Sequence, residues 1–109
     1  MKDDKLYCIH ILESINKIYD YIAGMNRDEF LSSTLTQDAV ARNLQVLAES
    51  TQRLSVEFKQ RHTEIEWHSI AGLRNILVHD YLGIDFDTVW IVVKNNLSEL
   101  EKAANTLTK

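Results

Sequence analysis

The chain has 109 residues, of which 45% are hydrophobic and 26% charged, and its formal net charge is −4. That is the length of one ordinary domain, able to bury roughly 60–70% of the surface its unfolded form exposes. Its single cysteine, Cys8, excludes an internal disulfide framework and an all-cysteine zinc site. The acidic balance argues against a dedicated nucleic-acid coat protein. No apolar run approaches the ~20 residues of a membrane span, and a start carrying Asp3 and Asp4 lacks the pattern of an export signal, so a cytoplasmic protein without a membrane anchor is expected.

With no proline and three glycines, the chain reads as helices with little punctuation. Cys8, Ile11, Leu12, Ile15, Ile18, Tyr19 and Ile22 fall at the spacing of one helical face, predicting a first helix over 3–23 that ends at Gly24. Cys8 reads as a small core residue. Asn26 caps a short second helix through Phe30. Thr34 with Gln37 offers a capping box for a long third helix over 36–60, whose stripe is Val40, Leu44, Leu47, Ala48 and Leu54, with Ser55 marking a bend. Thr63 and Glu66 make a second capping box; Trp67, Ile70, Ala71, Val78 and Tyr81 then form the face of a fourth helix ended by Gly83. Asp85 caps the last helix, with the stripe Val89, Val93, Asn96, Leu100, Ala103 and Leu107. The expected fold is all-α: an antiparallel bundle of four long helices plus one short one, in a single domain over 1–109. Tyr7, Tyr21, Trp90 and Ile91 are apolar residues to spare, and they offer a surface for a homodimer.

Charge is unevenly spread. Residues 42–74 hold five bases and four acids, whereas acids exceed bases on either side, so the sequence leaves room for a local basic surface formed by Arg42, Arg53, Lys59, Arg61 and Arg74. Asp38, Arg42, Glu49 and Arg53 share one stripe of the third helix, which is more often a solvated, salt-bridged face than a surface for substrate or partner. His10, His62 and His68 lack the paired spacing of metal ligands, so no metal site and no cofactor are expected.

The stretch from Trp67 to Asp85 contains Arg74, His79 and Tyr81, an Arg-x4-His-x-Tyr motif flanked by Trp67, Gly72, Asn75, Asp80 and Gly83. It resembles the motif of HepT-like toxins in the HEPN superfamily. A second stretch, Asp38 to Glu49 (DAVARNLQVLAE), resembles that family's third-helix signature, and together with the helix order the likeness covers nearly the whole chain. The resemblance implies a HEPN-like bundle and a metal-independent ribonuclease. It further implies the toxin of a toxin–antitoxin pair, opposed by a small nucleotidyltransferase antitoxin that attaches AMP to the motif tyrosine, here Tyr81.

The motif residues suit that chemistry. Metal-free RNA cleavage needs a base for the 2′-hydroxyl proton, an acid for the departing 5′-oxygen, and positive charge at phosphorus. His79 can carry the proton in either direction. Arg74 keeps its charge and presents a planar fork that matches two phosphate oxygens. The Tyr81 phenol can orient phosphate or sugar, and an attached AMP there would block the RNA. Asp80 and Asn75 are lesser candidates at the same helix end. On a regular helix Arg74 and Tyr81 lie ~20° apart, but His79 lies ~140° from Arg74. Convergence therefore requires a loosened helix, a reaching arginine or a second subunit. Without the family likeness, the same three residues read as a helix-end cluster with capping duties. Two other functions compete with the enzyme: a non-catalytic module that binds a nucleotide or partner protein through Arg74 and His79, and a purely structural helical dimer.

Overall fold

A computed structural model describes residues 2–79 and 83–108, with backbone alone for Lys2, Arg74, Asn75, Ile76, Val78 and His79. Seven helices and no strand are found among the described residues: α1 (Lys2–Ile22), α2 (Arg27–Leu31), α3 (Thr34–Gln52), α4 (Val56–Arg61), α5 (Trp67–His79), α6 (Phe86–Asn95) and α7 (Leu97–Thr108). The all-α expectation holds, and its long third and last helices are each divided in two.

The apolar stripe of α1 is buried as its spacing requires, with Cys8, Ile11, Ile15 and Ile18 fully enclosed; each large aliphatic side chain so removed from water contributes roughly 1.5–3 kcal/mol. Gly24 closes the helix with φ at +77°, a left-handed conformation that costs other residues a Cβ clash. Asn26 caps α2, its side chain accepting from the Glu29 amide while the Glu29 carboxylate accepts from the Asn26 amide. Arg27 pairs with Asp87, tying α2 to α6. The cap of α3 is Ser33, one residue before the expected Thr34: its hydroxyl accepts from the Thr36 amide. Gln37 serves the preceding helix instead, donating to the carbonyls of Phe30 and Leu31.

The bend expected at Ser55 is a full break. Ser55 is the N-cap of α4, accepting from the Phe58 amide at 3.0 Å. It is held by Asp4, whose two carboxylate oxygens accept from the Ser55 amide at 2.8 Å and from its hydroxyl at 2.6 Å. The start of α1 thus meets the end of α3, so the two helices run antiparallel. Thr63 does not cap α5. The Glu66 carbonyl accepts the first helical bonds, from Ser69 and Ile70, and its carboxylate accepts from the Ser69 hydroxyl. The end of this helix expected at Gly83 falls against residues 80–82, which lie outside the described residues. Asp85 does cap α6, accepting from the amides of Asp87 and Thr88. Asn96 then ends α6, so it is exposed, and Leu97 takes the buried place expected of it.

α1 packs along both α3 and α7, α3 also carries α5, and α2 bridges α3 and α6. One continuous core runs through all seven helices. The radius of gyration, 13.6 Å, is close to the ~13 Å expected of a compact chain of this length. Trp90, which looked spare in the sequence, rests on buried Phe30 with ring centroids 5.2 Å apart, whereas Tyr21 and Ile91 remain exposed.

Candidate functional site

The helix that carries the motif is fixed at its start. The Trp67 indole N–H donates to the carbonyls of Lys59 and His62, at 3.2 and 3.1 Å, and its ring meets Phe58 edge-on. Beyond that anchor Ile70, Leu73 and Leu77 are buried and set the helix rotation. Of the expected face, Ile70 is buried, Trp67 packs partly buried against the core and Ala71 is half-buried, while the Val78 side chain and Tyr81 lie outside the described residues. With the core stripe facing inward, the register puts Arg74 about 70° to one side of it and His79 about 150° away, on the far side of the helix. Regular helix persists through His79, so no loosening between Arg74 and His79 draws the two positions together. Asn75 lies on the same helix. Asp80 and Tyr81 lie outside the described residues.

Arg42, Glu49 and Arg53 stand on α3, the helix that supports α5, and all three are exposed. Arg53 is the C-cap of α3. The helical angle keeps these three positions within about 40° of one another, the stripe predicted. Beside the start of α5, a cleft of about 280 Å³ separates Ser69, Ile70 and Leu73 from Val92, Asn95 and Glu99. Glu64 and Glu66 join its rim, so its polar edge is acidic and unsuited to phosphate.

Across the molecule, α1 and α3 enclose a second groove of about 380 Å³ lined by His10, Glu13, Ser14, Lys17, Arg42, Asn43 and Val46. Of these only Arg42 was singled out from the sequence. Ser14 could have been, because it interrupts the apolar stripe between Ile11 and Ile15. Asp4 carries the same signal, a buried acid on the core side of α1. Burial alone would raise its pKa, but hydrogen bonds from the Ser55 hydroxyl and amide, together with the positive charge of the N-terminus, outweigh burial and hold it below the usual carboxylate range. Cys8 behaves as a core residue: burial first, and then the Asp4 charge, push its thiol up to about 11. Tyr19 is pushed up by burial and by Glu101. No cluster of three His, Cys, Asp or Glu side chains fit to hold a metal ion occurs among the described residues. No helix among them is long and apolar enough to cross a membrane.

A helical bundle with an arginine and a histidine on one core-packed helix is the class of domain that the sequence pattern implies, and comparison with known proteins makes the class specific. The model of the HepT-like family, described as ribonuclease HepT-like, matches residues 11–107. A Methanocaldococcus jannaschii protein provisionally named an RNase is 31% identical over 93% of both chains. A Thermococcus cleftensis protein provisionally named ribonuclease HepT is 32% identical over 99% of this chain and 98% of its own. Another M. jannaschii protein, whose name joins a gamma-glutamylcyclotransferase to a provisional RNase, is 38% identical over 93% of this chain, which spans only 46% of that relative's length. No solved structure matches the chain significantly. The chain belongs to the HepT-like ribonuclease family, and its enzymatic class is accordingly that of a ribonuclease.

Proposed function

We propose that this chain, as a single helical domain, is a metal-independent ribonuclease acting in the cytoplasm as the toxin of a toxin–antitoxin pair. The observation that carries the proposal is an Arg-x4-His pair on the core-anchored α5 of a HepT-like family member. His79 takes the proton of a 2′-hydroxyl or returns one to the departing 5′-oxygen. Arg74 holds two phosphate oxygens and offsets the charge that develops at phosphorus. Cleavage by this route leaves a cyclic 2′,3′-phosphate and a free 5′-hydroxyl and consumes no co-reactant.

The angular separation of Arg74 and His79 supports a homodimer in which two copies of α5 share one cleft, so that proton donor and acceptor come from different subunits. Tyr81 is the proposed site where a nucleotidyltransferase antitoxin attaches AMP, which would place an anion in the path of RNA. Arg42, Glu49, Arg53, Asn75 and Asp80 are assigned to the substrate or partner surface.

The test is incubation of the purified chain with total RNA and tRNA, with and without EDTA, beside Arg74→Ala and His79→Ala. Intact mass spectrometry reports whether Tyr81 carries AMP. Cleavage that survives the chelator and is lost in both variants is the expected result. An unmodified wild type that cuts neither substrate overturns the toxin reading and leaves a non-catalytic binding module in its place.

A further inference from the structure

The α1–α3 groove combines features that no core packing requires. Ser14 is 3% exposed, yet its hydroxyl makes no hydrogen bond. A buried polar group left unpaired is costly, so one that persists calls for a partner the protein itself does not supply. Along the same groove lie Lys17 and Arg42, and neither forms an ion pair. Glu13 is the one acid in the lining, four residues before Lys17 but not paired with it. Two cations against one carboxylate leave the groove net positive on a chain whose overall charge is −4. His10 adds an imidazole that can donate a hydrogen bond whether or not it is charged. The Asn43 amide already donates to the Ala39 carbonyl and holds the α3 wall in place.

We propose that this groove binds a phosphate group, with Lys17 and Arg42 supplying charge, Ser14 a buried donor at the floor, and His10 a further donor at the edge. Lysine and arginine offer donors only, and the serine hydroxyl can turn to donate, so the set matches an acceptor-only anion. In a ribonuclease, the phosphate is that of an RNA strand away from the bond being cut, an assignment of source that rests on the proposed function; a mononucleotide or free phosphate has the same chemistry. The groove lies between α1 and α3, whereas Arg74 and His79 lie on α5, so it anchors a strand and takes no part in bond cleavage.

The experiment uses the full isotope-labelled chain and three probes: inorganic phosphate, AMP, and a 2′-O-methyl oligoribonucleotide that cannot be cut. Amide signals of residues 10–17 and 42–46 are expected to move with each probe. Oligonucleotide binding roughly tenfold tighter than AMP identifies the RNA backbone as the source, while equal affinities identify a free phosphate or mononucleotide. Lys17→Ala combined with Arg42→Ala should weaken oligonucleotide binding roughly tenfold and reduce the slope of log affinity against log salt by about 1.4, two single-strand phosphate contacts. Ser14→Ala should weaken phosphate binding without lowering the melting temperature of the ligand-free chain, because no hydrogen bond within the protein is lost. Unmoved signals with all three probes, or unchanged affinity in the folded double variant, would overturn the site. A chain that binds these probes in the groove but cuts no RNA retains the phosphate site and loses the ribonuclease mechanism, so the two failures are distinguishable.

Discussion

The Asp4–Ser55 contact sets a testable pH dependence. Asp4 is almost fully buried and accepts two hydrogen bonds from Ser55, which is itself the cap of α4. Hydrogen bonds to a charged group contribute about 1.5–3 kcal/mol each. Asp4→Asn keeps one acceptor and removes the charge, so it gives up one such bond and weakens the other, a cost of about 2 kcal/mol at neutral pH. At roughly 4 °C per kcal/mol for a chain of this size, the melting temperature should fall by about 8 °C. The sign follows from the lowered pKa of Asp4. Its stabilising effect is fully present above the unfolded value near ~3.9, and it is lost as pH falls from there through the lower folded value. Urea unfolding of wild type and Asp4→Asn at pH 7, 5, 4 and 3 should show a gap that is constant above pH 5 and narrows below pH 4. A gap that is absent at pH 7, or equally large at every pH, would refute the reasoning.

Phe30 is completely enclosed against Trp90 and Phe86, so Phe30→Ala should cost about 3–5 kcal/mol in denaturant unfolding and flatten the near-ultraviolet circular dichroism of Trp90. Gly24→Ala forces a Cβ into a left-handed turn and should lower stability by about 1 kcal/mol by the same measurement. A thiol buried and pushed up to about 11 should resist a disulfide reagent at pH 8, with Cys8 labelling roughly a hundredfold slower in buffer than in urea.

The sequence shows α1 almost in full because Cys8, Ile11, Ile15, Ile18 and Ile22 repeat as one buried stripe, even though Leu6, Ile9 and Tyr21 stay exposed off it. Helix α5 is less legible for the opposite reason. Ile70, Ala71, Leu73, Ile76, Leu77 and Val78 spread round much of it, so periodicity does not choose the buried face, and among the side chains described Ile70, Leu73 and Leu77 are the buried ones. The break at Asn96 is hidden because steps of four and three continue across it with Leu97 adjacent, and a one-residue shift repairs the stripe. The motif residues themselves are plain in the sequence. Their angular relation on a helix that stays regular through His79 depends on backbone geometry that the motif alone leaves open. The α1–α3 groove was missed because its members come from helices separated by about a quarter of the chain, and only the lone serine among isoleucines hinted at it.

The packing of α1 against both α3 and α7 also bears on how the chain is made. Its stripe is complete once Ile22 has been synthesised, but the α7 side of that stripe stays uncovered until Leu97 and the residues after it follow. At roughly 5–20 residues per second, the interval is about 4–15 s. Throughout that time the apolar stripe of α1 has only part of its eventual cover, so the period of its exposure to aggregation and to chaperone capture falls during translation and ends once α7 has followed.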